Sequence, residues 1–160
     1  MGIFNKAKVS PKYFIKEIKG DEIYNHEVGE NITVDIFQAG ELVDVTGTSK
    51  GHGYSGVIKK YGKHIGPKGH GSGYHRQIGS LATNGRCNNR VHPGKKMSGH
   101  YGDVQRTVSN LTVVSVDASK NCILIKGSVP GPKKSVVKIK TSVKLPNKKV
   151  AVKDLVNYAA

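Results

Sequence analysis

Apolar and polar residues alternate in short runs towards both ends of the chain, and this alternation is lost in the middle. Residues 14–18 lead towards an acidic turn, residues 32–37 alternate apolar with polar side chains, and residues 42–46 form a third run entered through Ala39 and Gly40. A period of two is typical of half-buried β-strands. The beginning of the chain is therefore predicted to contain three strands.

The last part of the chain returns to the same pattern. Residues 107–116 are rich in β-branched side chains, residues 117–121 have the composition of a turn, and residues 122–126 are predicted to pair back as a hairpin. A break rich in glycine and proline follows. Residues 136–143 form a last alternating strand punctuated by lysines, and a basic tail, residues 144–160, ends the chain.

Between these strand blocks lies a segment without a sustained period. Residues 47–102, called the arm below, contain Gly-x-Gly steps and scattered Tyr, Ile and Val, which predict a loop rather than a helix. We therefore predict an all-β barrel or sandwich with a long insertion. Its parts are the first barrel strands at 1–46, the arm at 47–102, the remaining barrel strands at 103–143 and the tail at 144–160.

The distribution of charge suggests what the arm does. From residue 45 to residue 102 there is no Asp or Glu, while ten Lys or Arg, six His and fourteen of the twenty glycines fall in this stretch. The whole chain has a formal net charge of +15. A segment of one charge sign repels itself unless counter-charge lies beside it, and a phosphate backbone supplies that charge densely. We predict that the arm binds nucleic acid, and RNA rather than DNA, because no helix-based groove reader is predicted.

Cations and aromatic rings are interleaved along the arm, as in surfaces that meet both phosphates and unstacked bases. The rings are Tyr54, Tyr61, Tyr74 and Tyr101. The cations are Lys59, Lys60, Lys63, Lys68, Arg76, Arg86, Arg90, Lys95 and Lys96. A merely solvated basic loop is the competing interpretation, but ordinary protein surfaces intersperse both signs of charge.

Other chemistries are less well supported by the residues. Gly51, Gly53 and Gly56 spell G-x-G-x-x-G after a strand, but the run that follows is cut off by Gly62 and no acidic residue appears until Asp103, so a dinucleotide site is not expected. The arm's histidines suggest zinc or a ribonuclease, yet close ligand pairs and orienting carboxylates are missing. No stretch approaches the ~18 apolar residues of a membrane span. We expect no cofactor, metal or membrane partner.

A series of short strings runs through residues 7–143 in a fixed order. The first covers residues 43–54, VDVTGTSKGHGY. The others are Gly66-Pro67, His70-Gly71-Ser72, Tyr74-His75-Arg76, Gly79-Ser80, Asn89-Arg90-Val91, residues 94–99, Thr107-Val108, Asn110-Leu111, residues 116–118 and residues 126–131. In this combination they resemble the universal large-subunit ribosomal protein three family in its bacterial form, with Tyr54 where Phe is usual and His52 where Lys is common.

The resemblance implies a six-stranded, Greek-key-like barrel of the type shared by translation proteins. From it a long loop threads through the large-subunit rRNA toward the peptidyl transferase centre. Family members bind rRNA early in assembly, stabilise its fold and are not enzymes. The partners implied are large-subunit rRNA and neighbouring ribosomal proteins, among them proteins fourteen and nineteen, in a cytoplasmic or organellar ribosome. A basic RNA-binding protein outside the ribosome and a histidine-dependent ribonuclease are the alternatives.

The residues expected to contact rRNA lie in the arm and at its borders, and the deep part of the arm is placed at about residues 70–97 by the resemblance. The expected contacts are Lys50, His52, Tyr54, Lys59, Lys60, Lys63, Lys68, His70, Tyr74, His75, Arg76, Gly79, Ser80, Arg86, Arg90, Lys95, Lys96, His100 and Arg106.

The chain departs from the family pattern at two places. Family chains usually open with a further segment that includes the first barrel strands, whereas here Met1 leads almost directly into Lys8. The barrel is therefore expected to be open, and its missing strands come from a separate polypeptide, are lost, or precede this sequence. The segment at residues 81–88 is longer than in most family members and lacks the glutamine that some members methylate, so no modification site is carried over.

Overall fold

The computed structural model describes residues 2–18, 20, 25–81 and 90–152. Within them lie two short helices, α1 at Gly2–Ala7 and α2 at Val57–Tyr61, and a 3-10 turn at Val34–Ile36. The strands are β1 Leu42–Thr48, β2 Tyr54–Ser55, β3 Gly99–His100, β4 Gln105–Asp117, β5 Cys122–Lys126 and β6 Val137–Thr141. The all-β fold class predicted from the sequence is confirmed.

Four of the strands form one antiparallel sheet in the order β5-β4-β1-β6. The long strand β4 pairs with β1 through its first half, where Val43 faces Leu111, and with β5 through its second half, where Val116 faces Ile123. β6 pairs with the other side of β1. The strands predicted at 42–46 and 136–143 and the predicted hairpin therefore have the partners that a sheet needs.

A tight turn closes the hairpin between β4 and β5. The carboxylate of Asp117 accepts hydrogen bonds from the Ser119 hydroxyl at 2.6 Å and from the Lys120 N–H at 3.2 Å. Asn121 then adopts a left-handed φ of 49°, which asparagine tolerates better than most residues. These local bonds explain why the sequence of this turn could be recognised.

The buried core is small and lies on β1 and β4. Val43, Val45, Leu111 and Val113 are buried against one another. Partly buried side chains pack around them: Phe37, Val108, Val116, Ile123, Ile125, Val137 and Ile139. With so few fully buried residues, each one carries a large share of the hydrophobic stabilisation.

The main sheet is open in the described part of the chain. β5 and β6 are its two edges, and no other named strand of the described residues bonds to either of them. The six-stranded closure implied by the resemblance is thus not seen there, while the expected opening is. Leu124 on β5 and Val143 just beyond β6 are 49% and 69% exposed. Exposed edges of this kind offer unpaired backbone groups to a further strand.

Two of the predicted strands are wrong. Residues 14–18 are irregular and exposed, because none of the described strands pairs with them. Residues 32–37 contain the 3-10 turn instead of a strand. There the Thr33 hydroxyl donates to the Asp35 carboxylate at 2.9 Å. Such short-range bonds compete with a strand ladder.

The arm contains regular structure that the sequence did not predict. α2 begins after Gly56 and ends before Gly62, whose left-handed φ of 65° lets its N–H bond to the Ile58 carbonyl. Val57 is buried and fixes the start of this helix. The prediction of a loop without a helix is therefore wrong for residues 57–61. The helix has only five residues, and the acidic partner of a dinucleotide site is still missing.

The basic tail lies against the entry to β1 as far as it is described. The N–H of Val150 donates to the Gly40 carbonyl at 2.8 Å, and Lys149 Nζ donates to the Gln38 side chain at 2.8 Å. Residues 153–160 lie outside the described residues. The division of the chain into barrel, arm and tail stays a prediction.

Candidate nucleic-acid interface

The arm leaves the sheet from β1 and returns to it through β4, two neighbouring strands. Their pairing continues outwards from the sheet: Ser49 N–H donates to the Val104 carbonyl at 2.9 Å, and further out β2 pairs with β3. These two paired segments, residues 49–55 and 99–104, are called the neck below. The neck fixes the base of the arm to the sheet through backbone hydrogen bonds.

Two aromatic pairs stand on the neck. The rings of His52 and Tyr101 are stacked, with centroids 4.8 Å apart and planes inclined by 24°. The rings of Tyr54 and His100 meet edge to face, with centroids 6.0 Å apart. All four residues are exposed, so their rings are open to a ligand. The sequence predicts that tyrosines of the arm offer stacking surfaces, but it does not predict that each tyrosine of the neck pairs with a histidine.

A third aromatic ring joins the two sides of the arm. The ammonium nitrogens of Lys60 and Lys96 lie 5.4 Å and 5.6 Å from the centroid of the Tyr61 ring. Cation–π contacts of this kind are worth ~0.5–1 kcal/mol at exposed sites. Two of the predicted phosphate contacts are therefore gathered over one ring, which fixes their positions.

Further out, the arm is folded back on itself by hydrogen bonds. Gly66 N–H donates to the His75 carbonyl at 2.8 Å, and Nδ1 of His75 lies 2.8 Å from the Pro67 carbonyl oxygen. The Tyr74 hydroxyl donates to the Gln77 carbonyl at 3.0 Å. The arm is thus a folded extension with its own internal bonding, although it has little regular secondary structure.

Two lysines of the arm bond to the arm itself. Lys63 Nζ donates to the Ile78 carbonyl at 3.3 Å, and Lys95 Nζ donates to the Ser80 carbonyl at 3.0 Å. An ammonium group has three donors, so each lysine keeps two for another acceptor. These residues therefore shape the arm and still carry charge that a phosphate can meet.

Nearly all of the predicted contact residues are accessible. Lys60 and Lys63 are half-buried, and Arg86 lies outside the described residues. The exposed ones are Lys50, His52, Tyr54, Lys59, Lys68, His70, Tyr74, His75, Arg76, Gly79, Ser80, Arg90, Lys95, Lys96, His100 and Arg106. They are spread along the whole arm rather than gathered in one cleft, as suits a long polymer ligand.

Acidic side chains are engaged elsewhere in the molecule. His26 pairs with Glu30 and Lys120 with Asp117, both outside the arm. Asp44, the last acidic residue before the arm, is buried in the sheet at 4% exposure. Residues 45–102 contain no carboxylate, so the positive charge of the arm is not balanced from within its own sequence.

The histidines form no metal-binding cluster in the part of the chain that the structure describes, and those of the arm whose contacts are described have no carboxylate beside them. No three His, Cys, Asp or Glu side chains there lie close enough together to hold a metal ion. His75 bonds to a backbone carbonyl, and His52 and His100 pack on tyrosine rings. A histidine acting as a general base is normally oriented by a carboxylate, and these three have other neighbours. Of the helices in the described ranges, none has the length and apolar character needed to cross a bilayer.

One concave surface was missed by the sequence analysis. The loop that follows β5 lies over the side of the neck and leaves a groove of about 460 Å³. Lys50, His52 and Arg106 line it from the neck and β4, while Val129 and Pro130 line it from the loop. The signal in the sequence is the glycine- and proline-rich string at 127–131, whose composition predicts only a break between strands.

Comparison with known proteins decides the family. A family model described as ribosomal protein L3 matches residues 21–122, which include β1, the whole arm and β4. The chain belongs to the ribosomal protein L3 family. The L3 match contains both segments of the neck and every predicted contact residue, and it ends at the first residue of β5. The resemblance inferred from the strings is confirmed.

Bacterial members of the L3 family resemble the chain along most of its length. Large ribosomal subunit protein uL3 from Oceanobacillus iheyensis is 52% identical over 143 residues, covering 89% of this chain and 68% of that protein. The protein of the same name from Latilactobacillus sakei is 55% identical over 139 residues, covering 87% and 65%. That from Mycoplasma capricolum is 51% identical over 161 residues, covering 100% and 70%. The chain therefore spans about two thirds of the length of these L3 relatives.

Proposed function

We propose that this chain is a structural constituent of the large ribosomal subunit and that it binds large-subunit rRNA through its arm. Membership of the L3 family and relatives named large ribosomal subunit protein uL3 support this role. The observation that carries it is the arm: a glycine-rich extension without carboxylates that presents its cations from a hydrogen-bonded neck. The protein acts in the ribosome, in the cytoplasm, as a structural component and not as an enzyme.

Binding affinity comes mainly from the neutralisation of phosphates. Each phosphate contact releases condensed counterions, so the affinity falls as salt rises, with a slope of roughly −0.7 to −0.9 per contact in a plot of log K against log salt. The internal hydrogen bonds of the arm reduce the conformational entropy that binding has to remove. The arm is therefore partly preorganised for binding.

The finer features of the proposed role are those that the resemblance implies. The arm reaches toward the peptidyl transferase centre, and the protein joins the rRNA early in assembly and stabilises its fold. Ribosomal proteins fourteen and nineteen are its neighbours. The open edges at β5 and β6 are covered by rRNA or by protein.

Sedimentation of cell extract through sucrose gradients tests the proposal, with the chain followed by an antibody. After a high-salt wash the chain is expected to remain with the large subunit. Migration at the top of the gradient even at low salt would remove the proposal and favour a free RNA-binding protein or a ribonuclease.

Charge reversal in the arm tests which residues carry the binding. Arg76→Glu should lower the yield of large subunits without changing the thermal unfolding of the sheet, because Arg76 is exposed on the arm. Lys95→Glu should do the same and also release the Ser80 carbonyl. Lys12→Glu makes the same charge change outside the arm and serves as the matched control. A normal yield of subunits with both arm variants would contradict the assignment.

A further inference from the structure

A groove lies where three segments of the chain meet: the outgoing strand of the neck, its return into β4, and the loop after β5. Its volume of about 460 Å³ falls within the range of sites that hold small molecules. Its polar lining includes Lys50, His52 and Arg106, and its apolar lining includes Val129 and Pro130. No carboxylate is found among the described residues that line it. The groove therefore suits an anion that also has a flat or apolar part.

The segments that form the walls of the groove are packed closely against each other at two glycines. Gly102 has a left-handed φ of 79°, and a Cβ at this position would overlap the carbonyl oxygen of Lys50. A Cβ at Gly131 would lie 2.7 Å from the carbonyl oxygen of Thr48. The loop after β5 is thus pressed against the end of β1, and the two sides of the neck are pressed against each other. The groove is built by packing rather than left between independent loops.

An irregularity in the pairing of the neck places the aromatic stack at this groove. His52 N–H donates to the Tyr101 carbonyl at 2.8 Å, and Tyr101 N–H donates to the Gly53 carbonyl at 2.9 Å. Two residues of one strand therefore face one residue of the other, which is the arrangement of a β-bulge and re-aims the side chain. His52 and Tyr101 both line the groove, and their rings stack with centroids 4.8 Å apart.

We propose that this groove binds one unstacked nucleotide of the rRNA. The base lies against the stacked rings of His52 and Tyr101, and its phosphate lies between Lys50 and Arg106. This subsite rests on the proposed function and gives it a specific place. A nucleotide base offers the flat face that the rings can stack on, and its phosphate offers the charge that two cations can neutralise. A peptide carboxylate supplies the charge without the flat face.

Titration of the full chain against structured large-subunit rRNA tests the subsite through two separate readouts. Tyr101→Leu should weaken binding roughly 5- to 150-fold, with an unchanged slope against salt because no charge is removed. Tyr101→Phe keeps the ring and should bind as the unchanged chain does. Arg106→Gln should weaken binding and reduce the salt slope by about 1. Tyr13→Leu, which removes a 93%-exposed tyrosine outside the arm, is the control and should leave binding unchanged.

Photocrosslinking provides the structural half of the test. Short-wavelength ultraviolet light on the complex of the full chain with the rRNA, followed by mass spectrometry, should place a single-nucleotide adduct on a peptide that contains His52 or Tyr101. Circular dichroism of each variant checks that the sheet is folded. A peptide crosslinked to the groove in assembled subunits, in place of a nucleotide, would show a protein ligand and overturn the subsite.

The outcomes separate the subsite from the general function. If the unchanged chain binds the rRNA, Tyr101→Leu binds equally well and adducts fall only elsewhere on the arm, the nucleotide subsite is wrong and rRNA binding stands. If the unchanged chain does not bind structured large-subunit rRNA at all, the proposed function fails and the subsite fails with it.

Discussion

Replacing Asp44 by asparagine probes how the sheet accommodates an irregularity in its longest strand. Val43 faces Leu111 across the β1–β4 ladder, whereas Val45 faces Val108. Two residues of β4 therefore lie opposite Asp44 alone, and the regular ladder of backbone hydrogen bonds is interrupted at this point. The interruption leaves backbone N–H groups that need another acceptor.

The carboxylate of Asp44 supplies that acceptor. Its Oδ1 accepts a hydrogen bond from Asn110 N–H at 2.9 Å, and its Oδ2 accepts one from Val143 N–H at 3.3 Å. Asn110 has a left-handed φ of 59°, and its side-chain oxygen accepts a bond from the Ser142 hydroxyl at 2.6 Å. One side chain on β1 thus ties the irregular part of β4 to the segment that follows β6.

Asparagine has nearly the same shape as aspartate but offers one acceptor oxygen and one NH₂ group. One of the two backbone N–H groups would then face another donor at a position that is only 4% exposed. An unsatisfied buried donor costs about 1–3 kcal/mol, and the remaining bond is no longer charge-assisted. We expect Asp44→Asn to lower the free energy of unfolding by about 2–3 kcal/mol. For a chain of this size that corresponds to roughly 4–12 °C in the unfolding midpoint.

The same bonds make the stability of the sheet depend on pH. The N–H of Asn110 is the largest cause that holds the pKa of Asp44 below its ordinary value of 3.8, with a smaller contribution from Val143 N–H and an opposing one from burial. Because the folded-state pKa lies below the unfolded one, the stabilisation is complete above pH 3.8 and is lost as the pH falls through the folded-state pKa. The difference between the unchanged chain and Asp44→Asn should therefore shrink in acid.

Urea unfolding followed by circular dichroism, at pH 7 and at pH 3, measures both effects. Asp117→Asn is the matched control, because Asp117 makes similar bonds in an exposed turn where water can replace them. It should change the midpoint of unfolding much less. If Asp44→Asn unfolds at the same urea concentration as the unchanged chain at pH 7, the role assigned to the carboxylate is refuted.

Three further changes test the packing of the neck, the core and the arm. Gly102→Ala should speed amide hydrogen exchange across the neck, because its Cβ overlaps the Lys50 carbonyl, whereas Gly73→Ala points into open space; equal exchange in both would contradict the close approach. Leu111→Ala should cost about 2–5 kcal/mol in urea unfolding, since it empties one of the buried core positions; a loss under 1 kcal/mol would contradict that burial. Tyr61→Leu should speed proteolysis within the arm and leave the unfolding of the sheet unchanged, because two lysine ammonium groups rest on this ring. Unchanged cleavage would show that the ring does not hold the arm.

Strands could be predicted from the sequence where local signals also specified a partner. The β4–β5 hairpin is one such case, because the turn that begins at Asp117 brings two runs rich in β-branched and apolar residues together. Residues 32–37 alternate apolar with polar side chains and residues 14–18 are strand-like in composition, yet neither run forms a strand. Alternation indicates which side chains share a face, but it does not indicate whether a neighbouring strand is present to form backbone hydrogen bonds.

The candidate interface, too, could be predicted only in part from the sequence. The cations of the arm could be predicted because an excess of charge is visible in composition alone. The stacking of His52 on Tyr101 and the position of Val129 beside them join segments that are far apart in sequence. No periodic pattern encodes such contacts, and the glycines that permit them look like ordinary turn residues until the fold is known.

The pairing of Thr48 with Gln105 at the base of the neck affects how the length of the arm can change in evolution. The segment between these two residues contains 56 others, and its two ends lie on adjacent strands. The entropy of closing a loop grows only with the logarithm of its length, by about 0.6 kcal/mol for each doubling. Insertions or deletions towards the outer end of the arm therefore change the free energy of the sheet very little. The reach of the arm and the platform that anchors it are free to evolve almost independently.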